Sequence, residues 1–563
     1  MRAAAGRVLR VPEHHRHGPV VRRGGRAPAG RRRRGLAVRR GVRRPRRRLS
    51  PVLVRELGGQ SEEGARSHAP GIRELREEVT RRATVADVVV DGLRRAGTPR
   101  VIGSAGGRPD LPILDAARAI ELPVVLASSA RGACVIAAVT ADLVDAPGAA
   151  VIGHAPAAAA IRGVPECLPV ILITSGHPSA VPGCKETLRV EAESAAHRIA
   201  HAARLAMTEP RGPVHLDIPG DVATRAAVPV ATSCRPDPLP YPAREALDRA
   251  ARALAEASRP LLLAGAHCRS ADAAQWLRAF VEALPAPLLA TARAKGALPD
   301  PHPLMLGVLG VTGVEERLLG HADLVVAIGL DALEPVPEPC WSAAPAVVLG
   351  PAAAPDGRVS AVQVLGEVSA IVEELAGRLR DKPRADWDVA ELDRLRREGA
   401  ARSAGAGLDA RLVRLAREAT PAGTIATVDA GASAACVTAS WSATAPREFL
   451  AAAGLAATGF ALPAAIAAHL VHPDRRVICF AGAGELGAES ELETAARLGA
   501  RIAIVVFEAR GADSPPLLRQ AERFGISASA VDGEARFVQA FAHALAAEGP
   551  ALIVVQSSGG APT

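Results

Sequence analysis

The segment that decides the fold is Arg476-Val-Ile-Cys-Phe-Ala-Gly482-Ala483-Gly484-Glu-Leu-Gly487. It joins a short apolar run to a glycine-rich turn, and a charged stretch of helix-forming residues follows the turn. A second apolar run, at residues 501–507, comes directly after that stretch. A strand, a tight turn, a helix and a second strand in this order are typical of a parallel sheet with crossover helices.

The same alternation repeats outward from this segment along most of the chain. We expect strands at residues 101–103, 122–127, 149–153, 170–174, 214–218, 260–265, 287–291, 324–329, 346–350, 359–365, 424–429, 476–481, 501–507 and 551–556. The proline-rich residues 234–241 and the charged residues 380–399 separate these runs into three groups and indicate connectors. The sequence therefore predicts an α/β protein of three doubly wound parallel-sheet domains, at residues 81–235, 245–380 and 405–560.

Composition sets further limits on the class of protein. The hydrophobic content is 49% but only 2% of residues are aromatic, so the cores must consist of Ala, Val, Leu and Ile. The 8 cysteines are scattered, without a Cys-x-x-Cys pair, which indicates reduced thiols in a cytoplasmic protein rather than a disulfide framework or a metal site. The apolar residues 449–471 include a proline and many alanines, which favours a buried helix with its lead-in over a membrane span.

The positive charge of the chain is confined to its first residues. The formal net charge is +9, but residues 1–50 contain 18 arginines and one glutamate, which leaves about −8 for the rest. No aromatic residue and no apolar period accompanies the arginines. We therefore expect residues 1–80 to be a disordered Arg-rich tail, or sequence that precedes the true start, with at most non-specific contacts to nucleic acid.

Five phrases in the rest of the chain resemble, in order, the acetolactate synthase-like enzymes of the thiamine-diphosphate family. Residues 212–222 resemble the end of their pyrimidine-binding domain, residues 259–265 and 322–329 their central domain, and residues 459–466 and 491–495 their diphosphate-binding domain. The resemblance implies decarboxylation or carboligation of 2-oxo acids, with thiamine diphosphate and Mg²⁺ as cofactors. It also implies a homodimer or homotetramer, with the coenzyme between the first domain of one chain and the third domain of its neighbour.

The resemblance also implies positions for the coenzyme, and this chain departs from the family at them. The Asp and Asn that bind Mg²⁺ correspond to Ala483 and Ala509, and the glutamate that activates the aminopyrimidine corresponds to Ala130. Thr458 corresponds to the bulky residue that bends the coenzyme. A methyl group neither binds a metal nor exchanges a proton. The positions left to contact the coenzyme are Gly482, Gly484, Thr458, Glu508 and Gly511.

Two features favour a nucleotide instead. The glycine turn is also a Gly-x-Gly-x-x-Gly motif, and Glu508 follows it at the distance where a dinucleotide-binding fold places its ribose-binding acid. Several glutamates after the turn oppose a bound pyrophosphate, so FAD or NAD is the less favoured ligand. In the central domain, Lys295 and His302 either face a nucleotide or are a helix-flanking lysine and a turn-forming histidine.

Three hypotheses follow for the function. The chain is a thiamine-diphosphate enzyme with altered catalysis, or a non-catalytic descendant that binds a ligand or a partner subunit, or a nucleotide-binding protein. The departures at Ala130, Ala483 and Ala509 favour lost or altered catalysis within the acetolactate synthase-like group.

Overall fold

The computed structural model describes residues 82–557, apart from residues 105–110, 154–156, 163, 166, 177–178, 343, 352–359, 380–384, 405–406, 432, 453–457, 485, 487–490 and 510–514. The predicted tail at residues 1–80 and the predicted site residue Gly511 lie outside the described residues.

The first domain is a six-stranded parallel sheet with the strand order β2-β1-β3-β4-β6-β5. Its elements are α1 (Val85–Ala96), β1 (Val101–Ser104), α2 (Leu111–Ala119), β2 (Val124–Ala127), α3 (Ala130–Val144), β3 (Gly148–Gly153), α4 (Ala157–Ile161), β4 (Val170–Thr174), β5 (Thr187–Arg189), α5 (Ala195–Met207), β6 (Val214–Asp217) and α6 (Gly220–Ala223). Helix α1 begins with a capping box between Thr84 and Asp87 and ends at Gly97, whose φ of 93° favours glycine.

The central domain is a second six-stranded parallel sheet, with the order β12-β11-β10-β7-β8-β9. Its elements are α7 (Arg244–Glu256), β7 (Pro260–Ala264), a 3₁₀ turn (Ala266–Arg269), α8 (Ala271–Ala283), β8 (Leu288–Ala290), β9 (Met305–Val308), α9 (Glu315–Leu319), β10 (Leu324–Ile328), α10 (Pro339–Ser342), β11 (Ala346–Gly350), β12 (Ser360–Leu365) and α11 (Val368–Arg378). Strands β7 and β10 approach closely at Gly265, where a Cβ atom would lie 2.5 Å from the carbonyl oxygen of Gly329.

The third domain repeats the topology of the first, with the order β14-β13-β15-β16-β18-β17. The remaining elements, which begin with a helix in the charged connector, are α12 (Val389–Ala404), α13 (Leu408–Glu418), β13 (Ile425–Val428), α14 (Ala434–Ser440), β14 (Phe449–Ala451), α15 (Ala461–Val471), β15 (Val477–Gly482), α16 (Leu492–Arg497), β16 (Ile502–Ala509), α17 (Pro515–Arg523), β17 (Ser527–Val531), α18 (Glu534–Ala546) and β18 (Ala551–Ser557). Leu392 and Leu395 of α12 are buried against the central sheet.

Helices α3 and α15 hold the first and third domains together. They occupy equivalent places in the two matching topologies, and one apolar cluster, which we call the shared core, runs through both of them. Both helices are rich in alanine and buried on most of their faces, which is the pattern of a helix surrounded by protein. The described part of residues 449–471 contains β14 and the buried helix α15. No helix of the described chain is long and apolar enough to span a membrane.

A buried ion pair joins the first domain to the central domain. Both Nη atoms of Arg269 donate to the Asp142 carboxylate, at 2.9 and 2.6 Å, and Nε of the same arginine donates to the Ala266 carbonyl. The side chains of Arg269 and Asp142 are 8% and 13% exposed. Burial raises the pKa of Asp142, but the charges of Arg269, Arg293 and Arg447 outweigh it and lower the pKa to about 2.

The α/β fold with three parallel sheets, expected from the sequence, is confirmed. The domain boundaries stay a prediction. The pairing of subunits also stays a prediction. The structure shows that the first and third domains contact each other within a single chain.

Candidate functional site

The carboxyl ends of β13, β15 and β16 form the edge of the third sheet on which the predicted metal-ligand positions lie. Ligands of doubly wound sheets bind at the edge where the strand order reverses, which here is between β13 and β15. Strand β15 ends at Gly482, and Ala483 and Gly484 form the turn that follows. Strand β16 pairs with β15 and ends at Ala509. The two alanines are therefore at the ends of neighbouring strands.

Two carboxylates lie near this edge, and both are buried and hydrogen-bonded. Asp429 follows β13, and its Oδ1 accepts from the backbone N–H groups of Phe460 and Ala461, at 2.5 and 2.9 Å, which caps α15. Glu508 is 6% exposed and accepts from Nε2 of Gln556 at 3.0 Å. In the part of the chain that the structure describes, no group of three or more His, Cys, Asp or Glu could hold a metal ion.

The first-domain side of the site begins where β2 ends and α3 starts. Ser129 caps the helix, because its Oγ accepts from the N–H of Gly132 at 2.9 Å. Ala130, at the position of the family glutamate, is the first residue of the helix and packs against the shared core, as Ala483 does. The structure thus brings Ala130 and Ala483 to the same apolar cluster within one chain.

A carboxylate from the third domain occupies the start of α3. Glu491 is 1% exposed, and its Oε2 accepts from the Ser128 N–H at 2.9 Å. Its Oε1 accepts from the N–H and the hydroxyl of Ser129, at 3.0 and 2.7 Å. The Thr494 hydroxyl donates to the same carboxylate. All four neighbours are donors, and the positive end of a helix dipole adds to them, so this position selects an anion.

Gly132 leaves room for that carboxylate. A Cβ atom on Gly132 would lie 1.9 Å from Oε1 of Glu491, far inside van der Waals contact. The glycine is required here by the close approach of a side chain. Position 130 thus has no acid, but the Glu491 carboxylate of the third domain lies close to it. Both oxygens of that carboxylate accept hydrogen bonds from residues at the start of α3 and so hold the two domains together.

We expect Glu491→Gln to lower the free energy of unfolding by about 2 kcal/mol, because an amide NH₂ would face the donors that a carboxylate satisfies. Glu493→Gln is the matched control, since Glu493 lies on the same helix but is exposed, and we expect its effect to stay within about 0.5 kcal/mol. Urea denaturation of both variants measures the difference. Equal midpoints for the two variants would contradict the anion-selective position.

Two further residues that the sequence predicts at the site, Thr458 and Gly484, lie in loops of the third domain. Thr458 is exposed, and its carbonyl accepts from the Arg131 guanidinium, so a second contact joins the two domains beside Ala130. The Arg131 guanidinium therefore already donates a hydrogen bond to a backbone carbonyl. Among the described residues other than its chain neighbours, none lies within 4 Å of the place that a Cβ atom on Gly484 would take.

The family implies thiamine diphosphate with Mg²⁺ in this place, and the residues present do not fit it. Mg²⁺ requires a near-octahedral set of oxygen ligands, whereas Ala483 has no side-chain oxygen and Ala509 has none. Asp429 and Glu508 already accept hydrogen bonds from the protein. The donor-only position at the start of α3 is filled by Glu491.

The dinucleotide-binding interpretation of the glycine motif is also poorly supported by the geometry. In a dinucleotide-binding fold the helix opens directly at the glycines, and its N-terminus holds the pyrophosphate. Helix α16 instead begins at Leu492, and the residue before it is the buried Glu491. Glu485 and Gly487 of the motif lie outside the described residues.

The two central-domain candidates have structural contacts of their own. Lys295 is 4% exposed, and its Nζ donates to Oδ2 of Asp300 at 2.6 Å. The same oxygen accepts from the N–H of Ala443 in the third domain at 2.7 Å. His302 uses its Nδ1 to accept from the N–H of Leu304 at 3.2 Å. These contacts support the structural interpretation of both residues, in which the lysine fastens the central domain to the third.

Comparison with known proteins agrees with this architecture. The family model described as the thiamine pyrophosphate enzyme central domain matches residues 247–375, and the one described as the C-terminal TPP binding domain matches residues 429–512. Both matches fall on the second and third sheets. The sequence therefore carries two consecutive domains of one enzyme family in their usual order.

Individual relatives extend the match to the first domain. The acetolactate synthase isozyme 1 large subunit of Escherichia coli K12 is 28% identical over 500 residues, which cover 82% of this chain and 88% of the relative. A probable 2-ketoarginine decarboxylase of Pseudomonas aeruginosa is 33% identical over 323 residues, 55% of this chain and 56% of that protein. A solved structure from Mycobacterium smegmatis, ascribed to a thiamin diphosphate-dependent enzyme, has a TM-score of 0.70 at 22% identity, covers 84% of this chain and 99% of its own, and shows the shared fold.

Three parallel sheets in this order are the fold that this chain shares with the solved structure from M. smegmatis. The chain carries, at residues 247–375 and 429–512, two domains of the thiamine pyrophosphate enzyme family. Within that family it is similar to the acetolactate synthase large subunits and to related decarboxylases.

Proposed function

We propose that this chain is an acetolactate synthase-like member of the family that has lost the magnesium-dependent chemistry of the coenzyme. The observation that carries the proposal is the edge of the third sheet. The ends of β15 and β16 present Ala483 and Ala509, and the acids beside them, Asp429 and Glu508, are buried and hydrogen-bonded within the protein. Neither Ala483 nor Ala509 offers a side-chain ligand to a metal ion.

Electrostatics supports the same conclusion for the diphosphate. Without its cation, the diphosphate would lie beside the negative charges of Asp429 and Glu508 at this edge. Burying like charges without compensation is unfavourable by roughly several kcal/mol. The coenzyme would lack in addition the carboxylate that activates its aminopyrimidine, because that position is Ala130 and the nearby Glu491 is held by four donors.

Turnover of a 2-oxo acid tests this proposal. With thiamine diphosphate and Mg²⁺ in excess, we expect the full chain to release no CO₂ from pyruvate above the rate of the coenzyme alone. The acetolactate synthase large subunit of E. coli K12, to which this chain is similar, is a suitable positive control under the same conditions. Steady release of CO₂ by this chain would return it to the active 2-oxo acid enzymes.

The function that remains is that of a non-catalytic descendant, which binds a ligand or a partner subunit through an intact three-domain scaffold. The scaffold retains a continuous core across the first and third domains. Assembly into a homodimer or homotetramer and a cytoplasmic location stay predictions from the family resemblance. An enzyme with altered use of thiamine diphosphate is the second candidate, and nucleotide binding at the glycine turn is the third.

A further inference from the structure

The proline-rich connector between the first and central domains crosses the surface as an extended segment. Residues 235–242 have the sequence Arg-Pro-Asp-Pro-Leu-Pro-Tyr-Pro, in which every second residue is proline. They lie outside all helices and strands, and we call them the strap. Both ends of the strap are anchored: Cys234, just before it, is buried in the apolar cluster of the first domain, and Pro242 is buried beside Gly366 of the central domain.

The alternating prolines restrict the whole strap to the polyproline II conformation. A proline ring fixes φ near −65°, and the residue before a proline is driven out of the α region towards extended or polyproline II backbone. Every other residue of the strap precedes a proline. Ala243, which follows the strap, has φ −64° and ψ 130°, close to the polyproline II values of about −75° and 145°.

Burial along the strap repeats every three residues. Pro236 and Leu239 are half-buried and Pro242 is buried, whereas all positions between them are exposed. A polyproline II helix has three residues per turn, so these three side chains form a single face, and that face lies on the protein. The other two faces of the helix therefore point outwards.

One outward face carries Arg235, Pro238 and Tyr241, which are also three residues apart. All three are exposed, and Tyr241 is 69% exposed. The Tyr241 hydroxyl donates to Oε1 of Glu374 on α11 at 2.6 Å, which holds the ring at the surface. The Arg235 guanidinium forms no ion pair with a residue that the structure describes. This face thus presents a cation, a proline and an aromatic ring in one row.

The backbone of the strap is also available. Its four prolines have no N–H group, and residues 236–241 form no backbone hydrogen bond within the described part of the chain. Their carbonyls can therefore accept from donors of another protein. A segment that is already in the polyproline II conformation loses little conformational entropy when it binds.

We propose that the strap is a docking segment for a partner protein whose groove is lined by aromatic side chains. Grooves of this kind bind proline-rich segments in SH3, WW and EVH1 domains. Pro238 and Tyr241 pack into the groove, and the unpaired Arg235 selects a partner with a carboxylate at the matching end. The strap lies apart from the edge of the third sheet, so this interaction does not depend on whether the chain is catalytic.

Titration calorimetry of the full chain with three isolated domains, one each of the SH3, WW and EVH1 classes, tests the proposal. We expect at least one domain to bind at a single site with a Kd below about 1 mM. Arg235→Gln should weaken that binding by about tenfold or more, because the ion pair with the groove is lost. Pro238→Ala should weaken it to a similar extent, because the substitution removes a ring from the groove and loosens the backbone.

Matched controls make the same kinds of substitution outside the strap. Arg278→Gln changes an exposed arginine of α8, and Pro229→Ala changes an exposed proline that precedes the strap, so both should leave the affinity unchanged. Far-ultraviolet circular dichroism checks the fold of each variant, and all four substitutions are at exposed positions.

Two results would overturn the proposal. One is that none of the three domains binds the unmodified chain at concentrations up to about 1 mM. The other is equal affinity in the unmodified chain and in the strap variants, which would mean that a domain that binds does so at another part of the chain.

Discussion

The triple variant Ala130→Glu, Ala483→Asp, Ala509→Asn is expected to bind thiamine diphosphate about a hundredfold more tightly than the unmodified chain when Mg²⁺ is present. Asp and Asn restore two oxygen ligands at the ends of neighbouring strands, and the cation then compensates the diphosphate. The gain corresponds to about 3 kcal/mol, within the cost of an uncompensated buried charge. Titration calorimetry measures it directly.

Two controls separate this effect from a general gain in affinity. Removal of Mg²⁺ with a chelator should return the triple variant to the affinity of the unmodified chain. The single variant Ala130→Glu should bind the coenzyme no better than the unmodified chain, because it restores no metal ligand. A triple variant that binds as weakly as the unmodified chain would show that the scaffold, and not the three side chains alone, excludes the coenzyme.

Asp142→Asn is expected to be the most destabilising single substitution at the domain interfaces, with a loss of about 3–5 kcal/mol. The amide would leave Arg269, which donates both Nη atoms to Asp142, as an uncompensated buried charge, and Arg293 and Arg447 act on the same carboxylate. Urea denaturation measures the loss, and hydrogen exchange in α3 locates it.

Asp221→Asn provides the matched control in the same domain. Its ion pair with Arg225 is exposed, with side chains 67% and 61% accessible, so the loss should stay below about 1 kcal/mol. Equal shifts of the denaturation midpoint in the two variants would contradict the assigned role of the buried pair.

The same pair predicts how stability depends on acid. The pKa of Asp142 in the folded chain, about 2, is below its ordinary value of 3.8, so the group favours folding wherever it is ionised in the unfolded state. Its contribution, roughly 2 kcal/mol, should be complete above pH 5 or so and be lost as the pH falls through about 4 towards 2. The midpoint of Asp142→Asn should lack this part of the acid dependence.

The interior strands of the three sheets could be predicted from the sequence, and the edges mostly could not. The strands absent from the sequence analysis are β5, β9, β14 and β17, and each lies at the edge of its sheet. Interior strands of a parallel sheet are buried on both faces and therefore read as continuous apolar runs. An edge strand such as β17 is largely exposed, so its sequence does not differ from that of a loop.

The candidate site shows a second limit of sequence patterns. Resemblance to the local motifs of the family was enough to predict Ala483, Ala509 and Ala130 as the positions of the coenzyme site. The role of Glu491 depends on residues more than 350 positions away, at Ser128 and Ser129, and no local pattern reports such a contact. Lys295 is similar, since only the fold shows that it joins two domains. The sequence marked Glu491 only as part of residues 491–495, which resemble the diphosphate-binding domain of the family.

Titration of thiamine diphosphate into the unmodified chain, with and without Mg²⁺, tests the central claim most directly. With alanine at both strand ends and the nearby acids already hydrogen-bonded, we expect no saturable heat that depends on Mg²⁺ at micromolar coenzyme. The E. coli acetolactate synthase large subunit, to which this chain is similar, is measured alongside as the comparison. Tight, Mg²⁺-dependent binding by the unmodified chain would falsify the lost-site account and place the protein among the active thiamine-diphosphate enzymes.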